Sequence, residues 1–238
     1  MLIVYLILFL AVMLSGLLIF LVKTDDRRIL KLLLAFSGAF LIGISFLKLV
    51  PEIYTSPARY AGLFILLGFL IQLVLELLTE GVEHGHRHVH YEGERVSPFL
   101  LLTGLCIHAF LEGLPINESF NADLRQSLIT GIVIHNIPIS LTLMSLFIHY
   151  GCSKTKALIY LGVFALMTPI GSVMGHILPF DPANLNVCFN YALAVVVGIF
   201  LHVSTSILFE TEENHRYNLQ KFMIVCVGLF TAFGIAMI

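Results

Sequence analysis

Charge is scarce in this 238-residue chain: Asp, Glu, Lys and Arg together make up only 12%, about half of the roughly 25% usual in a soluble domain. Apolar residues take their place, at 58% of the sequence with a mean hydropathy of +0.97. A soluble fold of this length could not hide that much apolar surface, so a membrane protein is expected. The net charge of -2 carries little information, because in a bilayer the placement of charge matters more than its sum. No nucleic-acid partner is supported.

Cysteine is sparse too. Cys106, Cys152, Cys188 and Cys226 stand apart, without CxxC spacing and mostly inside apolar runs, where a thiol behaves as a small hydrophobe. They are expected to be unpaired. The stretch from Met1 to Val22 has neither a basic leading region nor a small-residue cleavage site, and reads as a retained first span rather than a signal peptide. No GxxxxGK[ST] pattern is present, so ATP is not the energy source on this chain.

What is there is a series of apolar stretches. Eight are long enough to cross a bilayer, which takes about 20 mostly apolar residues per helix: near 1–22, 29–50, 60–80, 98–119, 126–149, 155–178, 187–209 and 219–238. The fold class expected is therefore all-α, one polytopic domain over 1–238 with a polar loop at 81–97. Lysine and arginine set the orientation. Taking alternate joints, ten of the 13 fall on one side, among them Lys23, Arg27, Arg28, Lys31, Arg87 and Arg95, and only Lys48, Arg59 and Arg125 on the other. The crowded side is expected to be cytoplasmic, with both termini outside and the protein in the cell membrane.

Polar residues interrupt two neighbouring spans where lipid should forbid them. His108 and Glu112 are four apart, so on a helix both project from one face, one turn above the other. His135 opens the matching stretch of the next span, where Pro138 removes a backbone donor. An ionisable residue inside a span costs roughly 2.5 kcal/mol or more, which makes each a functional-site candidate. A lone histidine on an apolar helix is more often a hydrogen-bonded core residue than a ligand. A glutamate one turn away and a second histidine at matching depth reverse that preference, and the three are expected to hold one metal ion. The same three residues would also suit a proton relay, since imidazole titrates near neutrality. Asn136 is expected either to add an amide oxygen or to bond across a helix interface.

Other polar residues rank below these. Glu76, Glu80, His176 and Lys48 lie near span ends, where reaching for the interface explains them better. His202 lies deeper and is a further ligand candidate against a packing role. Asn117, Glu118 and Glu210 could form a vestibule that attracts cations. In the loop, His84, His86, His88 and His90 alternate, and on an extended segment they would line one side. There they would either bind metal, as a buffer rather than for conduction, or form only a polar linker rich in histidine.

With these residues in view, the chain resembles the ZIP family of divalent metal transporters. That family has eight spans, outward termini and a histidine-rich cytoplasmic loop between spans three and four. Its fourth-span His-(Asn/Ser)-x-x-(Asp/Glu)-Gly motif is matched by His108-Ala109-Phe110-Leu111-Glu112-Gly113. Its fifth-span (His/Gln)-(Glu/Asp)-x-Pro-(His/Glu) motif is matched in part by His135-Asn136-Ile137-Pro138-Ile139, and its sixth-span Glu-Pro-(Leu/Ile)-Gly by Thr168-Pro169-Ile170-Gly171. The departures fall on a second metal site used by well-studied members. Ala109, Asn136 and Thr168 stand where that site has its polar and acidic ligands, Ile139 replaces a fifth-span ligand, and Lys48 replaces a pore-mouth histidine.

The resemblance implies a transporter rather than an enzyme, with no cofactor and a divalent metal as transported substrate. One site of His108, Glu112 and His135 would remain, completed by Asn136, water or His202. Two imidazoles and one carboxylate suit zinc first and iron(II), manganese or cobalt next, and disfavour calcium or magnesium. Small-residue faces would permit a homodimer in the lipid bilayer. Rival readings are a membrane-embedded zinc hydrolase, in which three ligands leave a fourth position for water, and a metal sensor that binds without flux.

Overall fold

The computed structural model describes residues 1–21, 27–55, 57–79, 98–117, 122–177, 185–209 and 219–237. His84, His86, His88 and His90, with Glu80, Glu118 and Glu210, lie outside the described residues. Every element among the described residues is helical, so the chain is an all-α polytopic membrane protein.

The helices follow the apolar runs. They are α1 (Leu2–Leu21), α2 (Arg27–Ile44), α3 (Val50–Thr55), α4 (Ala61–Thr79), α5 (Pro98–Gly113), α6 (Ala122–His149), α7 (Lys154–Ile177), α8 (Leu185–Phe209) and α9 (Leu219–Ala236). A π turn at Ser45–Leu49 joins α2 to α3, so that these two form one continuous span. Its cause is close by: Pro51 has no amide hydrogen to continue the i to i−4 ladder, and the wider turn absorbs the break.

Among the described residues, seven spans are long and apolar enough to cross a membrane. The eighth helix, α5, has 16 residues and ends at Gly113 rather than near 119, as the apolar run suggests. Pro115 explains the early stop, since it cannot extend the ladder, and two tight turns follow, with Leu114 N–H on Leu111 O and Ile116 N–H on Gly113 O. Between α6 and α7 the chain turns at Gly151, whose φ of +76° is the left-handed conformation that glycine adopts without strain. There Cys152 N–H bonds Phe147 O and Gly151 N–H bonds Ile148 O, which closes α6.

Large apolar side chains on α1, α4 and α9, such as Leu6, Leu66 and Phe230, point outward, as lipid-facing residues should. Inside, the helices sort into two groups. In one, α1 lies along α6 and α7, and α5 lies along α7; in the other, α4 lies along α8, and α2 lies along both α8 and α9. One buried cluster, including Leu105, Ala109, Ile139, Leu143 and Phe164, belongs wholly to the first group. The other, including Phe40, Ile44, Val197 and Phe200, is centred on α2 and α8 and reaches Leu128 and Ile132 of α6. The groups meet chiefly where α2 faces α6 and α4 faces α5. All four cysteines are free and half-buried, as expected.

Candidate metal centre

Three polar side chains meet deep in the first group. His108 and Glu112 project from α5 and His135 from α6, and all three are fully buried. One ligand atom from each lies within 4.8 Å of the other two. His108 Nε2 is 3.1 Å from Glu112 Oε1, a contact that i, i+4 placement on one helix face allows. The rings of His108 and His135 lie edge to face with centroids 5.7 Å apart. Phe200 of α8 closes the far side of His135, at 6.5 Å between centroids.

The elements that bring these residues together owe their placement to small residues and to proline. α5 and α7 touch so closely that a Cβ added at Gly113 would lie 2.1 Å from Thr168 O. Only glycine permits that approach, and it sits immediately after Glu112. α6 continues through Pro138 without a break in its helical span. It is fastened to α1 by a 2.5 Å hydrogen bond between the hydroxyls of Ser15 and Ser140.

The local electrostatics favour a cation. Glu112 Oε2 is buried with no hydrogen-bond partner among the described residues, and so is Asn136 Oδ1, on the residue next to His135. A carboxylate enclosed in this way is costly unless a positive charge accompanies it. Two imidazoles and a carboxylate within 4.8 Å make a donor set of the kind that borderline transition metals take. A single carboxylate leaves a divalent ion incompletely neutralised. Ala109 and Thr168 are buried on α5 and α7, and neither brings a second charge.

Sequence reasoning missed one partner. Gln72 of α4 is fully buried, and its Oε1 accepts a 2.9 Å hydrogen bond from His108 Nδ1. The signal available was a single amide in an otherwise apolar span, a residue that lipid tolerates only when bonded.

The other candidates sort away from this cluster. His202 Nε2 meets Glu76 Oε2 at 2.5 Å, with Phe69 edge-on to the ring at 4.7 Å. His202 is thus engaged between α8 and α4, and Glu76 turns inward to it, a quarter exposed, instead of reaching for the interface. The reason is supply: a buried imidazole offers a better partner than a distant headgroup. His176 is exposed near the end of α7, with its Nδ1 donating to Ser172 O at 2.7 Å. Lys48 is half-buried in the π turn, where it lines a surface recess of about 230 Å³ with Glu52 and Asp123. Asn117 is buried just beyond α5.

A family model described as ZIP Zinc transporter matches residues 80–236. Among similar proteins, zinc transporter ZIP13 of Pongo abelii is 27% identical over 224 residues, covering 84% of this chain and 65% of that protein. Zinc transporter ZIP10 of Danio rerio is 26% identical over 148 residues, 59% of this chain and 17% of that protein. Zinc transporter ZIP9 of Xenopus tropicalis is 25% identical over 123 residues, 50% of this chain and 40% of that protein. The chain thus spans between 17% and 65% of the length of these relatives. The family match covers well over half of the chain and runs through α5 to α9. The chain belongs to the ZIP zinc transporter family.

Proposed function

We propose that this ZIP-family chain carries a divalent transition metal, zinc first, across the cell membrane into the cytoplasm. His108, Glu112 and His135 hold the ion, and Asn136 adds a neutral oxygen. The observation that carries this reading is the convergence of two histidines and one glutamate, all fully buried, within 4.8 Å inside a membrane bundle. Zinc-transporter relatives support the choice of metal. The donor set is equally open to iron(II), manganese and cobalt.

Every ligand lies on α5 or α6, in one helix group. Sliding or rocking that group against α2, α4, α8 and α9 would carry the site between the two faces without taking it apart, as packed repeats do in many secondary transporters. Because metal must displace protons from its ligands, release would also respond to pH. The lysine and arginine count supports outward termini and a cytoplasmic loop at 81–97. A homodimer belongs to the same reading, with small residues on the outward helix faces allowing a second copy to approach in lipid.

The test is initial-rate uptake of radioactive zinc into proteoliposomes, wild type beside Glu112→Ala, with cobalt, manganese and iron(II) as competitors. Saturable uptake that is lost in the variant is expected. Stoichiometric zinc binding by folded protein with no flux would replace the transporter by a sensor. Metal-dependent hydrolysis without flux would replace it by an embedded hydrolase.

A further inference from the structure

Gln72 stands alone among Phe69, Leu70, Ile71, Leu73, Val74 and Leu75 on α4, and it is fully buried. A primary amide in that position is costly unless it is bonded. It is bonded to a metal-site histidine: Oε1 lies 2.9 Å from His108 Nδ1. A carbonyl oxygen only accepts, so the proton of this bond belongs to Nδ1. In the neutral ring Nε2 then carries the lone pair, and Nε2 is the nitrogen 3.1 Å from Glu112 Oε1. Two acceptors at that separation are arranged to share a cation. The opposite amide orientation would present a donor to Nδ1 and move the proton to Nε2, which would close the site to metal. Glu76, one turn further along α4, is engaged by His202 and so does not compete for His108. The bond also crosses between helix groups, because α4 packs along α8 while α5 packs along α7.

We propose that Gln72 is the positioning residue of the metal site: its carbonyl fixes the Nδ1–H tautomer of His108 and ties the ligand to the docking of the two helix groups. This inference rests on the ligand set given above. Outer-shell partners of metal-bound histidines set ring orientation and basicity, and their loss costs 10- to 100-fold in metal affinity.

The experiment uses the full chain in detergent with His84, His86, His88 and His90 changed to alanine, so that only the intramembrane site reports. Equilibrium cobalt(II) binding and its visible absorption spectrum are measured for this background and for Gln72→Leu, Gln72→Glu and Glu112→Ala. Gln72→Leu is expected to bind cobalt about 10- to 100-fold more weakly with an altered spectrum, and Gln72→Glu, which keeps the acceptor, to recover to within about 3-fold. Folded Gln72→Leu with unchanged affinity and spectrum overturns the inference. Nitrogen NMR of histidine-labelled background protein decides the matter even where Gln72→Leu does not fold: a proton on His108 Nδ1 supports it, and a proton on Nε2 overturns it. Loss of binding in Glu112→Ala with none in Gln72→Leu removes Gln72 alone. Unchanged binding in Glu112→Ala removes the site itself.

Discussion

Among the described residues, two histidine–glutamate pairs stand inside the helix bundle, and they are built for different ends. His108 and Glu112 share one helix, four residues apart, at 3.1 Å and fully buried, with His135 brought in from α6. His202 and Glu76 come from α8 and α4, meet at 2.5 Å, and leave the glutamate a quarter exposed. In the second pair each group answers the other, and Phe69 caps the ring. In the first, Glu112 Oε2 stays without a hydrogen-bond partner among the described residues, while Gln72 takes the far nitrogen of His108. Identical residue types thus give a two-residue bridge between helices in one place and a converging donor set in the other. What separates them is His135, which converges on the first pair alone, and the Gln72 amide bonded to His108.

Breaking the cluster around the first pair should therefore have the largest effect. His135→Ala is expected to weaken zinc binding by more than about 100-fold, beyond the loss of an outer-shell partner, whereas His202→Ala should leave it within about 3-fold; zinc titration calorimetry in the loop-histidine-free background checks both. Acid should weaken zinc binding at the same cluster. Zinc affinity is expected to fall as pH drops from about 7.5 to about 5.5, because protons compete for the imidazole ligands, and titration at the two pH values measures it.

Next comes the support of the site. Gly113→Ala places a methyl against Thr168 O, which a Cβ would approach to 2.1 Å. Forcing α5 off α7 is expected to cost about 1–3 kcal/mol of stability and to displace Glu112, seen as reduced zinc uptake alongside a lower melting temperature. Glu76→Gln should matter less: the amide can still bond His202, so a loss of about 1 kcal/mol in stability with zinc affinity retained is expected. Ser140→Ala is the smallest, removing the hydrogen bond to Ser15 for about 0.6 kcal/mol with no change in zinc binding; thermal unfolding in detergent measures both.

Much of this was legible in the sequence, for physical reasons. Apolar runs long enough to span a bilayer must be helical, since lipid leaves the backbone no other partner, so the spans and the all-α class could be read directly. The i, i+4 spacing of His108 and Glu112 put them on one face before any contact was known. The end of α5 was harder, because the run stays apolar past Pro115 and only the missing amide hydrogen marks the stop. Helix pairing was not legible. Spans apolar on every side carry no periodicity to show which face turns inward, and the close approach at Gly113 depends on a residue in α7. Gln72 escaped notice because it carries no charge and its partner lies 36 residues away. Glu76 looked like a residue reaching for the interface until His202 supplied an inward partner from a span far along the chain.

The measurement that bears most directly on the central claim is zinc K-edge X-ray absorption on purified protein lacking the four loop histidines. Two imidazole nitrogens and oxygen ligands at about 2.0–2.2 Å are expected in the first shell, with the imidazole signal reduced in His135→Ala and zinc lost from Glu112→Ala. An unchanged zinc shell in both variants would contradict the account, because the ion would then be held somewhere other than between α5 and α6.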